Sequence, residues 1–388
     1  MAKQAADSVW LRVVPGPLRS HLAGRRLLQT LLENTGWLVA DKIVRLGVGL
    51  FVSVWVARYL GPDRFGALNY VQAVVWLISA LATMGLPDIV VRDFVREPAR
   101  SAEIASTALA LRLLGAVVSI AIATLTVIVT RPDSHELMVM SVILGASFLP
   151  QALDVVDQVC QARNQVRPVV IMRNIAFLTA AIAKIAAILL GAPLMVFAGL
   201  ITFEFALVGI VLYVYSRRLN LGLTLANATL AEARRLLTDS WPLIVRLLAI
   251  GIYMRIDQVI IGQLLNDRAV GIYAAAMRIS EIWYFIPVAM MTAFVPRLAA
   301  EHVKSTQSYE ELLLKVMRVI VIISALAALS LSIGAPFIIE VLFGAEYSGA
   351  AQVLAVHAWS GLFVGLGVAS NSWFVNNRLL RFALYQAL

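Results

Sequence analysis

The chain has 388 residues, 61% of them hydrophobic and only 14% charged, against roughly 45–50% apolar and about 25% charged in a soluble domain. A chain this apolar has too little polar surface to keep soluble domains dissolved, and disorder is excluded by the same composition. The formal charge of +9 is not a nucleic-acid footprint, because the cations sit between apolar runs instead of along one basic stripe; membrane lipids, and no nucleic acid, are the partners this pattern predicts.

The first 36 residues form a basic segment without the apolar core and small-residue cleavage site of a signal peptide. Leu18, Leu22, Leu28, Leu31 and Leu32 interleaved with Arg19, Arg25 and Arg26 predict either a short amphipathic helix on anionic lipid or a plain solvated tail. Beyond them the chain is a series of apolar runs. A helix of about 20 such residues crosses roughly 30 Å of hydrocarbon. Runs of that kind fall at 38–60, 67–86, 106–130, 137–158, 171–190, 194–215, 242–264, 271–295, 317–335 and 350–373, and an eleventh begins near Phe382. They are too long for barrel strands and lack two-residue alternation, so the predicted fold class is all-α integral membrane.

Lys and Arg in the flanks and short loops set the orientation. One side carries 21 of them, from Lys3 to Arg381, and the other only Arg58, Arg64, Arg131 and Arg268. The 21-cation side is therefore predicted to be cytoplasmic, with both chain ends on it. The inter-span loops are short, leaving no room for a soluble catalytic domain. The single cysteine, Cys160, lies in an apolar stretch, can form no internal disulfide and reads as a buried thiol.

The chain also resembles itself. An offset of 204 residues superposes Trp37 on Trp241, Gly47 on Gly251, Leu60 on Leu264, Asp63 on Asp267 and Arg64 on Arg268, and one residue of slippage then brings Gly66 onto Gly271. Six spans separate the copies, so both have the same orientation, as parallel repeats about an axis along the membrane normal. This divides the chain into the N-terminal segment 1–36, a first lobe 37–216 with spans one to six, a cytoplasmic linker 217–240 carrying Arg217, Arg218, Arg234 and Arg235, and a second lobe 241–388. Read over the length of the first copy, the second is expected to extend about two helices past Leu388, so the second lobe reads as truncated.

The hairpin Ala57-Arg58-Tyr59-Leu60-Gly61-Pro62-Asp63-Arg64-Phe65-Gly66 resembles the first hairpin of polysaccharide (O-antigen type) flippases. These belong to the multidrug/oligosaccharidyl-lipid/polysaccharide exporter superfamily. Tyr253-Met254-Arg255-Ile256-Asp257-Gln258, Val270-Gly271-Ile272-Tyr273 and Phe294-Val295-Pro296-Arg297 resemble that family's seventh and eighth spans. The resemblance runs from about residue 34 to the end. It implies two six-helix lobes around a central cavity, opening alternately to either side and moving undecaprenyl-pyrophosphate-linked sugars outward across the bacterial cytoplasmic membrane. Lipid-linked oligosaccharide is the implied substrate, and polysaccharide polymerase and chain-length proteins are candidate partners.

An ionised side chain at mid-bilayer costs at least about 2.5 kcal/mol on insertion scales, so it should face a wet cavity or a partner. Seven cations (Lys42, Arg45, Arg112, Lys184, Arg246, Arg255, Arg278) and six acids (Asp41, Asp154, Asp157, Glu204, Asp257, Glu281) fall within spans. That is nearly balanced, so a cationic lumen is an implication of the resemblance and not of arithmetic. Asp154 and Asp157 read as partners of nearby arginines. Asp257 and Arg278 lie at similar depth on adjacent antiparallel spans, which predicts either a structural ion pair or a masking pair that an anionic ligand would open. Lys184 and Glu204 flank another short turn and read as a pair or relay. Pyrophosphate suits Arg forks and Lys point charges; on the resemblance, Lys42, Arg45, Arg246, Arg255 and Arg278 are the candidate head-group contacts. Asp41, Lys184, Glu204, Asp257 and Glu281 are the candidates for coupling or ion pairing.

Trp37, Trp241, Trp283, Tyr284, Trp359 and Trp373 read as interface anchors, and Gly361 with Gly365 as a helix-packing face. His21, His135, His302 and His357 make no metal spacing, there is no Walker loop, and Gly47-Val48-Gly49 lacks the third glycine of a nucleotide fold. No cofactor, metal or enzymatic activity is expected. The alternatives are a multidrug cation exporter of the same superfamily, which would favour an acidic lumen, a membrane glycosyltransferase or ligase, which would need a larger outward loop, and a truncated non-transporting scaffold of the polysaccharide machinery.

Overall fold

Helix is the only regular structure among the described residues, which in this computed structural model are 26–219 and 221–376; side chains are described from Arg45 onward except at 292, 293, 296, 299, 303 and 371–376. The N-terminal amphipathic segment up to residue 25 and the eleventh span near Phe382 lie outside the described residues, as do the side chains of Trp37, Asp41, Lys42 and Trp373.

Fourteen α-helices follow one another within that range. The first, α1 (Arg26–Thr83), holds the first two predicted spans as two limbs folded at Gly61, whose φ of 71° a residue with Cβ seldom adopts; Pro62, which lacks an N–H, starts the second limb. Next come α2 (Pro87–Arg96), α3 (Ser101–Thr130) and a broken span built of α4 (His135–Gly145), α5 (Phe148–Gln151) and α6 (Val155–Ala162). Then α7 (Val166–Leu189) and α8 (Leu194–Arg218) complete the first half. The second half has α9 (Leu230–Leu264), α10 (Asp267–Ser280), α11 (Phe285–Lys304), α12 (Thr306–Phe343), α13 (Ala350–His357) and α14 (Ser360–Asn376). Several starts are set by local chemistry: Ser134, Thr229 and Asn266 accept the N–H of the residue three ahead and so cap α4, α9 and α10.

Seven helical stretches among the described residues are long and apolar enough to cross a membrane, and the first of them, Arg45–Arg96, contains both limbs of α1. The predicted seventh and eighth spans are helical too, as α9 and the α10–α11 pair, but stand outside that set. They carry Arg246, Arg255, Asp257, Arg278 and Glu281. The lipid-facing surface is plain in α12, where Ile322, Leu326, Leu329, Ile333 and Phe337 recur every three or four residues and are all exposed; such a face needs hydrocarbon around it.

The second limb of α1 is the spine. It packs on α3 on one side and on α9 and α10 on the other, while the first limb packs on α7. Its contact with α10 is reciprocal. A Cβ on Gly66 would lie 1.6 Å from the Asp267 carbonyl oxygen, and one on Gly271 would lie 2.0 Å from the Pro62 carbonyl oxygen, so the residue four before each glycine touches the other glycine. Around this seam Arg131 bonds Asp267 and the Gly262 carbonyl, Arg268 bonds Asp63, and the Tyr347 hydroxyl donates to the Ala57 carbonyl.

One reading of the sequence needs correction. Trp283 is buried, not an interface anchor; its indole fills the space over Gly361, where a Cβ would lie 1.9 Å from the ring. Within the segment 217–240 α9 begins, and its Arg235 pairs with Glu232 and Asp93.

Candidate functional site

Between the two halves lies a cavity of about 440 Å³, within the usual size range of ligand sites. The second limb of α1 supplies Asn69, Gln72, Trp76, Ser79 and Thr83; the α4–α5 break supplies Ser147 and Gln151; α8 supplies Phe205. From the second half come Arg255 and Gln258 on α9 and Arg278 on α10, with Glu281 just after it. A smaller cavity of about 200 Å³ adjoins it in the first half and shares Asn69, Gln72, Ile201 and Arg278 with the larger one; Lys184 and Phe177 also line it.

Depth explains why charge is informative here. Arg255 is nine residues before Leu264, where α9 ends, and Arg278 eleven after Asp267, where α10 begins, about 14 and about 17 Å from that end of the helices at 1.5 Å per residue. Arg255 is held by Glu281, with its two terminal nitrogens 3.1 and 3.4 Å from the carboxylate oxygens, and its guanidinium lies over the Trp76 ring at 5.6 Å. Arg278 makes no ion pair or hydrogen bond among the described residues, and its exposed side chain faces both cavities. Arg255, Arg278 and Lys184 thus stand against Glu281 and Glu204, an excess of one positive charge in the described lining and its partners.

The expected Asp257–Arg278 pair is not formed. Asp257 accepts the Tyr273 hydroxyl and the Gln258 N–H, and faces a third, smaller space of about 160 Å³ with Glu281, Tyr284, His357 and Ser360. Asp257 does face α10 but meets it at Tyr273 rather than at Arg278, while Arg255 takes Glu281, just past the end of α10. Lys184 and Glu204 do pair, at 3.2 Å. Arg45 lies over the Phe177 ring at 5.1 Å, at the margin of the smaller cavity, and Arg246 is exposed. Asp154 bonds Arg173 at 2.7 Å and lies 3.7 Å from the nearly sealed Arg112, and Asp157 is 3.2 Å from Arg173. That cluster belongs to the packing of α3, α6 and α7.

The residues that sequence reasoning passed over are neutral. Asn69, Gln72, Trp76, Ser79 and Thr83 recur at intervals of three and four in an otherwise apolar limb, which puts them on one helix face. That stripe is a signal readable in the sequence.

At the basic end a separate ion network ties α9 to the first half. Asp93, 2% exposed, accepts from Arg92 at 2.7 Å and Arg235 at 2.8 Å, and buried Glu232 accepts from Arg100 and Arg235. The hydrogen bonds raise the Arg235 pKa above the ordinary arginine value, chiefly through Glu232, so it stays charged at any working pH. Thr229 adds a bond to Glu103. These contacts hold the first turns of α9 against α2 and α3.

A multi-pass α-helical membrane protein with a polar cavity between its halves is the class this architecture defines. The chain belongs to the polysaccharide biosynthesis protein family, whose model matches residues 31–302, the family of the polysaccharide and O-antigen flippases. A search among curated proteins finds no match. The family is of transporter and flippase type, with lipid-linked polysaccharide as its class of substrate.

Proposed function

We propose that the chain flips an undecaprenyl-pyrophosphate-linked oligosaccharide across the bacterial cytoplasmic membrane, from the basic, cytoplasmic side to the outer side, by alternating access of two lobes. One observation carries this reading: Arg278 lies within a predicted span in the inter-half cavity with no ion pair among the described residues. A buried-depth cation without a partner is costly, and a phosphate group is the partner its fork fits best. The reciprocal Gly66–Gly271 contact supports a two-fold relation between the halves, as an isologous contact does between subunits. The one-charge excess in the cavity favours an anionic cargo over the cationic drugs of the related exporters.

In this reading Arg255, released by Glu281 when an anion competes for it, meets the incoming head group from the larger cavity, and the neutral stripe of α1 with Gln151 and Gln258 receives the sugar. Arg45, Arg246 and Lys42 serve the approach from the cytoplasmic side. Asp257 and Glu204 are the carboxylates available for coupling, together with Asp41. Polymerase and chain-length proteins would receive the product. The test is a leaflet-resolved assay of lipid-linked sugar in vesicles holding the full chain. Arg278→Gln is expected to abolish outward transfer while the protein remains folded in the membrane; normal transfer by that variant would refute the reading.

A further inference from the structure

The Lys184–Glu204 pair differs from the other ion pairs within the membrane in how it meets the cavity. Both side chains are 18% exposed and their charges are 3.2 Å apart. Only Lys184 lines the 200 Å³ cavity, whereas Glu204 lines neither this cavity nor the larger one. The carboxylate therefore stands behind the ammonium. Across the same small cavity is Arg278, contributed by the other half. Lys184 sits on α7 and Arg278 on α10, helices far apart in the chain that place two cations on one 200 Å³ space.

A diphosphate diester carries two negative charges, and Arg278 alone matches one. A lysine is a point charge on a four-carbon stem that can swing without backbone movement, unlike a bidentate arginine fork. From these placements we infer that Lys184 is the second cation of a diphosphate site in the smaller cavity, and that Glu204 is a built-in competitor from which the ligand takes it. The inference rests on the anion-binding reading of Arg278. It assigns the diphosphate to the small cavity at the junction and leaves the larger one for the attached sugar. It also gives Glu204 a role opposite to that of a structural partner. Glu204 weakens binding and prevents Lys184 from standing bare in the empty protein, where an isolated charge at depth is costly.

The sign of one substitution decides the matter. Binding of inorganic pyrophosphate, with orthophosphate as comparison, is measured calorimetrically on the full chain in detergent. Lys184→Gln is expected to weaken pyrophosphate binding about tenfold, the equivalent of about 1.4 kcal/mol, and to leave orthophosphate binding unchanged because a single phosphate is held by Arg278. Glu204→Gln is expected to strengthen pyrophosphate binding several-fold. Lys184→Arg keeps the charge and should stay near the wild type, and the Lys184→Gln/Glu204→Gln double variant leaves no bare charge, so a loss of folding by one single variant is distinguishable. If Lys184→Gln and Glu204→Gln both weaken binding, the pair is structural and the inference is overturned. If neither changes it while Arg278→Gln abolishes it, Lys184 is not in the site although the reading of Arg278 stands. If wild-type protein binds no pyrophosphate, or Arg278→Gln binds it normally, the underlying reading fails.

Discussion

Gly271→Ala tests whether the seam between α1 and α10 is the closed gate of an alternating cycle. The new Cβ would sit 2.0 Å from the Pro62 carbonyl oxygen, where ordinary contact begins at 3.4 Å. The atom it meets is backbone, which no rotamer change can move. The two helices must therefore part by about 1.4 Å, the difference of those distances. Overpacking of this kind costs about 1–3 kcal/mol. If the seam opens in the other conformer, that cost falls on the closed state alone and shifts the equilibrium about 5–150-fold toward the opened one. Gln72 lines both cavities and is half-buried, so Gln72→Cys in a Cys160→Ala background reports access. The expected result is faster labelling by a membrane-impermeant maleimide applied from the side opposite the basic network. Gly66→Ala should act likewise, since its Cβ meets the Asp267 carbonyl oxygen, whereas Gly199→Ala meets nothing within 4 Å and should leave labelling unchanged. Unaltered labelling in folded Gly271→Ala protein would falsify the gate.

Glu281→Gln removes the carboxylate that holds Arg255 and leaves two unmatched guanidinium groups in one cavity; thermal stability is expected to fall by about 1–3 kcal/mol while pyrophosphate affinity rises, and a fall in both would argue that the cavity is not an anion site. Asp93→Asn deprives Arg92 and Arg235 of a shared buried acceptor, and a loss of about 1–3 kcal/mol is expected; an unchanged melting temperature for the full chain in detergent would show the network to be ornamental to the packing of α9. Trp76→Ala removes the ring beneath Arg255, and transfer of the sugar-bearing lipid should drop with inorganic pyrophosphate binding retained within about threefold, because a cation–π contact at an accessible site is worth about 0.5–1 kcal/mol.

How far the site was legible follows from which physical quantity each residue reports. Depth along a helix is fixed by residue count, so the sequence singles out Arg255, Arg278, Lys184 and Glu281 as charges within spans, and each of the four lines a cavity. Rotation about the helix axes is set by packing against neighbours and cannot be counted from the sequence: Asp257 meets α10 at Tyr273 and not at Arg278, and Arg255 takes Glu281 just past the end of α10. The same reason hid the turn-like break of α4 into α5 and α6, since the stretch from 137 to 158 has the composition of one span. Neutral groups make up most of the polar lining of the larger cavity. A lone Asn or Gln in an apolar run tells little, but Asn69, Gln72, Trp76, Ser79 and Thr83 in helical register commit one whole face of a limb to water or ligand. That face shares the cavity with Arg255 and Arg278, so the two halves contribute unlike chemistry, neutral polar groups from α1 and charge from α9 and α10. A cargo with an ionised head and an uncharged sugar body matches that division, whereas a compact cation would meet the wrong sign on one wall and no counter-charge on the other.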